Sequence, residues 1–327
     1  MTAPPFNAAQ RARDRLQETP QQRGNGAAAP PAPLVGVPLE DLITMKLPER
    51  PRLLGPWLTR SSLALIHART GVGKTWFSLS AFRALAMGST FLKWTADQPR
   101  KVLYLDGEMA GATMQERGRI LLNGQSTNGN LIIVTPDLQA DPMPNLATEE
   151  GRARLEPLLS NVDALEIDHL TALIRCHGDG GEGALWIEQV QPWLLEKRRA
   201  GLAILLEHHS GKGGTQRGTS VREDIMDVII KLEQVGEERD GARFNVVFEK
   251  TRGFYGKEAE TFEARLQTMP DGTSAWSITD ASDSEFETLV EMLRDKVPID
   301  KAAKDLKIHR ATAYRWKAKA IDKGLVT

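Results

Sequence analysis

From Leu39 to about Trp276 the chain alternates short apolar runs with longer stretches of helical periodicity. The runs are Leu63–Ala68, Val102–Asp106, Leu131–Thr135, Ala164–Asp168, Leu202–Glu207, Ile225–Leu232 and Phe244–Phe248. Apolar runs this short, set between helices, predict strands buried on both faces, and so an α/β fold with a mostly parallel sheet. Upstream, residues 1–38 hold seven of the 18 prolines and almost no apolar periodicity. Such a segment cannot bury enough surface to offset its ordering entropy, and it predicts a disordered arm. Downstream, the polar stretch Thr279–Asp283 predicts a linker into a purely helical end. There Phe286, Leu289, Val290 and Leu293 mark one amphipathic helix over Ser284–Lys296. Pro298-Ile299-Asp300 opens a second helix, and Arg310 to Ala320 forms a third. The expected organisation is an arm at 1–38, an α/β domain at 39–278 and a small helical domain at 284–327.

Composition narrows the classes. The 327 residues carry 42 Lys+Arg against 43 Asp+Glu, which argues against a globally basic nucleic-acid coat but leaves local stripes open. No apolar run approaches the roughly 18 residues of a membrane helix, so no membrane partner is expected. The lone Cys176 can form neither an internal disulfide nor a thiolate metal site, which fits a cytoplasmic location.

The strongest local signal is Ala68-Arg69-Thr70-Gly71-Val72-Gly73-Lys74-Thr75, between the apolar strand Leu63–His67 and a helix running to about Met87. This is a phosphate-binding Walker A loop in its strand–loop–helix setting. Gly71 and Gly73 let backbone N–H groups turn inward, Lys74 reaches β- and γ-phosphate oxygens, and Thr75 offers a hydroxyl to Mg²⁺. Ala68 replaces the first glycine of the usual pattern without removing a phosphate ligand. The nucleotide-binding set is Ala68, Arg69, Thr70, Gly71, Val72, Gly73, Lys74, Thr75 and Trp76, with ATP and Mg²⁺ as the expected cofactors.

Next, Lys101 to Met109 forms a strand ending in the carboxylates Asp106 and Glu108, where strand C-termini meet ligands in such sheets. With this motif the chain resembles the RecA-like P-loop ATPases, and among them the hexameric replicative helicases of plasmids and phages. The resemblance covers about residues 50–265. It implies a RecA-like core, a homo-oligomeric ring, single-stranded DNA and replication proteins as partners, and Glu108 as the carboxylate that activates the attacking water. Val162 to Asp168 then looks like the Walker B strand, with Asp168 holding Mg²⁺ through its water shell. Glu166 departs from the family's apolar residue there and shares a face with Asp168, so either it is paired or the strand is less buried than its neighbours.

The glycine-dense stretch Arg175 to Gly183 stands where the family has its first DNA-facing loop. Cys176 and His177 within it do not make a metal site. His209 ends the strand Leu202–Leu206-Glu207-His208 and matches the family's γ-phosphate sensor. The following Gly-rich loop supplies Lys212 and Arg217 as backbone-contacting charges for DNA. Lys250 and Arg252, at the end of Phe244–Phe248, match a pair that reaches a neighbouring subunit's γ-phosphate in that family.

From Lys296 onward nine Lys and Arg face three Asp, a local net charge of +6. The helical pattern resembles a helix-turn-helix, with Arg310 and Arg315 as the best base-edge candidates for duplex DNA. The sequence therefore predicts a ring-forming, ATP-hydrolysing DNA helicase or translocase. The alternative is an ATP-dependent DNA-binding regulator or helicase loader without unwinding activity. A small-molecule kinase is disfavoured, because it has no use for a DNA-binding tail.

Overall fold

The computed structural model describes residues 34–175, 182–210, 220–235, 242–269, 273–306 and 308–326. The chain divides into two compact units, residues 1–51 and 52–327. In the first unit one helical turn, Leu39–Leu42, starts at Pro38 and leaves Leu39 and Leu42 exposed.

The second unit is built on nine strands: β1 Leu63–Ala68, β2 Val102–Asp106, β3 Leu131–Val134, β4 Ala164–Asp168, β5 Ala203–His209, β6 Val228–Gln234, β7 Arg243–Thr251, β8 Phe262–Thr268 and β9 Ser274–Asp280. Their order across the sheet is β9-β8-β7-β6-β1-β5-β4-β2-β3. The six strands from β6 to β3 run parallel, and β7, β8 and β9 continue one edge antiparallel. The parallel part is the arrangement that the uninterrupted apolar runs predict. In β1, β2 and β4 every residue is buried, as strands covered on both faces require.

Alternation sorts the side chains of these strands into two cores. Ala64, Ile66, Tyr104, Ala164, Leu205 and Ile230 face helix α1 (Lys74–Met87), which brings Phe77 and Phe82. Helix α2 (Gly111–Leu122) adds Met114 to this core. Leu63, Leu65, Leu103, Ile167 and Leu206 face the other way, against helices α3 (Glu149–Leu159) and α4 (Gln191–Arg199) with Leu155, Trp193 and Leu194. Because the parallel strands share one direction, Ala68, Asp106, Asp168 and His209 all lie at the same edge of the sheet.

One expectation at the C-terminal side needs correction. Beyond Phe248, where the last apolar run ends, β8 and β9 extend the sheet, with Phe262, Ala264 and Leu266 buried on one face and Glu263 buried on the other. Thr279–Asp283 is not a linker, because Thr279 and Asp280 pair with Glu263 and Phe262 and helix α5 (Ala281–Arg294) starts at the next residue. Helices α6 (Ile299–Asp305) and α7 (Arg310–Asp322) follow, and Phe286, Val290 and Ala320 form a small core with Trp316, Leu325 and Val326. No helix among the described residues is long and apolar enough to cross a membrane.

Candidate functional site

The site begins where β1 ends. Gly71 and Gly73 take φ values of 87° and 113°, a region that L side chains rarely enter. A Cβ at Gly73 would also lie 2.4 Å from the Ala242 Cβ, so geometry and space both demand glycine. Helix α1 starts at Lys74 with no side-chain cap, leaving its first N–H groups directed at the loop, an arrangement suited to anions. Arg69, Thr70 and Gly71 are exposed, Val72 is buried, and Trp76 is half-buried with the Arg117 guanidinium 5.2 Å from its ring.

Lys74 is buried, and its Nζ lies 2.9 Å from His209 Nδ1 and 3.5 Å from the Ala68 carbonyl. Burial lowers its pKa, opposed by the nearby Glu207, Asp168 and Glu108. Burial and then the Lys74 charge lower His209, so its ring is neutral and accepts from the ammonium. Phosphate oxygens would compete for that same ammonium.

Asp168, at the end of β4, accepts at one oxygen from the Tyr104 hydroxyl (2.6 Å) and the Thr75 hydroxyl (3.2 Å). Thr75 and Asp168 thus supply hard oxygen donors side by side, a set that fits Mg²⁺ carried by a nucleotide. Asp106 does a different job. Its carboxylate accepts from the N–H groups of Glu108 and Met109 at 3.0 and 2.9 Å, and from the Thr135 hydroxyl at 3.2 Å. It thereby fixes the turn that presents Glu108, whose side chain is 67% exposed and whose Oε2 lies 2.9 Å from His169 Nδ1.

Glu108, His169 and His209 bring three donor atoms within 4.8 Å of one another. The Lys74 ammonium already places positive charge against His209, so these donors read as part of the phosphate-facing surface rather than as a separate cation site.

Beneath the loop lies an acidic layer on the α1 face. Glu166 is fully buried in a fully buried strand, and neither carboxylate oxygen has a hydrogen-bond partner among the described residues. Both sequence alternatives fail for it: it is neither paired nor in a less buried strand. Burial, then Glu207 and Asp168, pushes its pKa well above the usual range, so it is held as a neutral acid. Glu207 is raised in the same way, by burial first and Asp168 next, and hydrogen-bonds the Ser78 hydroxyl of α1.

Lys250 and Arg252 lie elsewhere. Thr251 pairs with Val228, which pairs with Ala64, so they sit about 13 Å back along β1 from Ala68 and the loop it leads into. Within the chain Lys250 Nζ donates to the carbonyls of Glu223 and Asp224 at 2.6 and 3.3 Å, and Arg252 Nη2 donates to Asp224 at 3.3 Å. Of the duplex candidates, Arg310 is held by Asp300 through bonds of 2.7 and 3.1 Å, whereas Arg315 is exposed on α7. Cys176, His177, Lys212 and Arg217 lie outside the described residues.

Sequence reading assigned no role to Tyr104, His169 or Glu207. A hydroxyl two residues before a strand-end acid, in register beside Glu166, is a signal that could have found Tyr104. Glu207 shares the parity of His209 in the same strand. His169 carries no signal beyond its place after Asp168.

A family model described as an AAA domain matches residues 28–215, more than half of the chain. No curated protein matches the chain. Among solved structures, a KaiC-like protein from the hyperthermophilic archaeon Pyrococcus horikoshii OT3 is similar at 15% identity, covering 71% of this chain and 99% of that chain with a TM-score of 0.48. A likeness at that level adds nothing to the topology described above.

Proposed function

Because the chain belongs to the AAA domain family, with a P-loop ATPase site at the strand edge, we propose that it is a ring-forming ATPase that hydrolyses ATP at subunit interfaces and moves along single-stranded DNA. The observation that carries the hydrolytic part is the separation of charges at the loop: the Lys74 ammonium lies buried on the phosphate side, while the Glu108 carboxylate stands exposed at the mouth. With His169 Nδ1–H donating to Oε2, Oε1 of Glu108 is left to accept a proton from an attacking water. Lys74 and the first N–H groups of α1 bind the phosphates. Thr75 and Asp168 would hold Mg²⁺, which when bound neutralises charge on the phosphate oxygens.

The ring is supported by the placement of Lys250 and Arg252. Too far from their own loop to touch its phosphates, they suit a role against a neighbour's. DNA as partner is supported by the basic C-terminal helices, by exposed Arg315, and by the Lys212 and Arg217 stretch that follows β5.

One observation favours the regulator as a second reading: α7 offers an exposed arginine on a compact helix, a shape suited to the major groove. Strand displacement on a forked duplex separates the two. ATP-dependent unwinding, absent in Lys74→Ala, supports the translocase. Duplex binding weakened by Arg315→Ala, with no unwinding by the unaltered protein, supports the regulator.

A further inference from the structure

Successive residues at the end of β5 face opposite sides of the sheet, so His209 turns to the phosphate loop while His208 and Ser210 turn away. On that far side His67 of β1 is buried inside an otherwise apolar strand, 8% exposed, and the hydrolytic chemistry does not use it. Its Nε2 lies 2.7 Å from Glu249 Oε2 of β7, and its Nδ1 lies 2.9 Å from Ser210 Oγ. With Nε2–H donating to the carboxylate, Nδ1 accepts from the Ser210 hydroxyl, and one run of side-chain hydrogen bonds links β1, β7 and the end of β5.

What it fixes is specific. The Ser210 N–H donates to the Ala68 carbonyl at 2.9 Å, and that carbonyl also faces Lys74 Nζ at 3.5 Å. Holding Ser210 therefore sets the backbone next to His209 and, with it, the ring that meets Lys74. The neighbouring His208 offers no substitute, because its Nδ1 is buried without a partner among the described residues and burial lowers its pKa to about 4. At the other end, Glu249 immediately precedes Lys250 in β7.

We propose that His67 is a positioning residue: acting through Ser210 it holds His209 against Lys74, and through Glu249 it ties that placement to the strand that carries Lys250 and leads into Arg252. The inference rests on the reading of the site as an ATPase with His209 beside the γ-phosphate.

The test is steady-state ATP hydrolysis and nucleotide affinity of the full chain, for His67→Leu, His67→Gln, Ser210→Ala and His209→Gln. His67→Leu and Ser210→Ala should each lower kcat about tenfold, the worth of one buried hydrogen bond, with nucleotide Kd nearly unchanged. His67→Gln should keep most of the turnover, since its amide N–H can donate to Glu249 while its carbonyl accepts from Ser210. The double variant His67→Leu with Ser210→Ala should be no worse than either single, as members of one hydrogen-bonded series behave. Wild-type kcat in His67→Leu, or an equal loss in His67→Gln, overturns the proposal. Should His67→Leu fail to fold, Ser210→Ala decides by itself: a tenfold loss of kcat supports the positioning role and wild-type kcat overturns it. Full turnover in His209→Gln removes the γ-phosphate reading and the positioning role together. Loss in His209→Gln beside intact His67→Leu and Ser210→Ala removes the positioning role alone.

Discussion

The Lys74 ammonium donates to Nδ1 of His209 across 2.9 Å, joining the start of α1 to the end of β5. The buried ammonium thus has a neutral acceptor beside it. A phosphate that approached Lys74 would also meet His209, so on the proposed reading the end of β5 is where nucleotide state is felt.

Lys74→Ala should abolish nucleotide binding, because it removes the buried charge opposite the phosphates. Glu108→Gln should bind ATP normally yet hydrolyse it about 10²- to 10³-fold more slowly, since only the carboxylate proposed to activate the water is lost. Fluorescent-nucleotide titration beside single-turnover hydrolysis separates the two. Near-normal hydrolysis in Glu108→Gln would move the base elsewhere.

Glu166 sets a pH dependence of stability. Its folded pKa is raised, so its burial is tolerated while it stays protonated and becomes costly as pH climbs above the unfolded value. Glu166→Gln should therefore match the parent below about pH 4.5 and gain on it by about 1.4 kcal/mol for each pH unit above that, until the folded pKa is reached. Urea unfolding of both proteins across this range measures the gain. A constant difference at all pH values would mean that Glu166 does not change its ionisation state on folding.

Tyr104→Phe removes the 2.6 Å hydrogen bond to Asp168 and leaves that carboxylate with the Thr75 hydroxyl. The loss should be roughly 1.5–3 kcal/mol of stability, the range for a bond to a charged group. The Mg²⁺ concentration needed for half-maximal hydrolysis should also shift, because Asp168 is less firmly held. Unchanged urea midpoint and unchanged Mg²⁺ dependence would leave the hydroxyl without a role.

Arg252→Ala and Lys74→Ala damage different halves of a site if the finger pair acts across an interface. Mixed rings should then recover some turnover, because a fraction of interfaces pairs an intact loop with an intact finger. Inactivity at every mixing ratio would place the whole site within one chain.

The strands of the parallel sheet were legible because burial on both faces writes uninterrupted apolar runs: Leu63–Ala68, Val102–Asp106 and Ala164–Asp168 read from the sequence with the bounds they have in the fold. The antiparallel edge was not. Phe262, Ala264 and Leu266 put apolar residues on one face only, and the polar residues between them, the buried Glu263 among them, resemble a loop as much as a strand. Thr279 and Asp280 look like linker residues by type, yet they pair in β9 because an edge strand needs little apolar content. In the site, residues with a fixed spacing, Lys74, Thr75 and Asp168, were visible, and the structure brings them within reach of one another. Tyr104, His169 and Glu207 were not assigned roles, since their parts arise from register between strands distant in sequence. Glu166 was visible as an anomaly, but only packing shows that it is buried and unpaired.

The central claim is that hydrolysis at this site is coupled to DNA in an assembled ring. ATP turnover with and without single-stranded DNA, measured on protein whose oligomer mass is determined in the same buffer, tests it most directly. The account predicts a multi-subunit ring whose turnover rises on adding single strands, and in Arg252→Ala turnover falls well below the basal rate with or without single strands. A monomer that hydrolyses ATP at one rate whether or not single strands are present would contradict it.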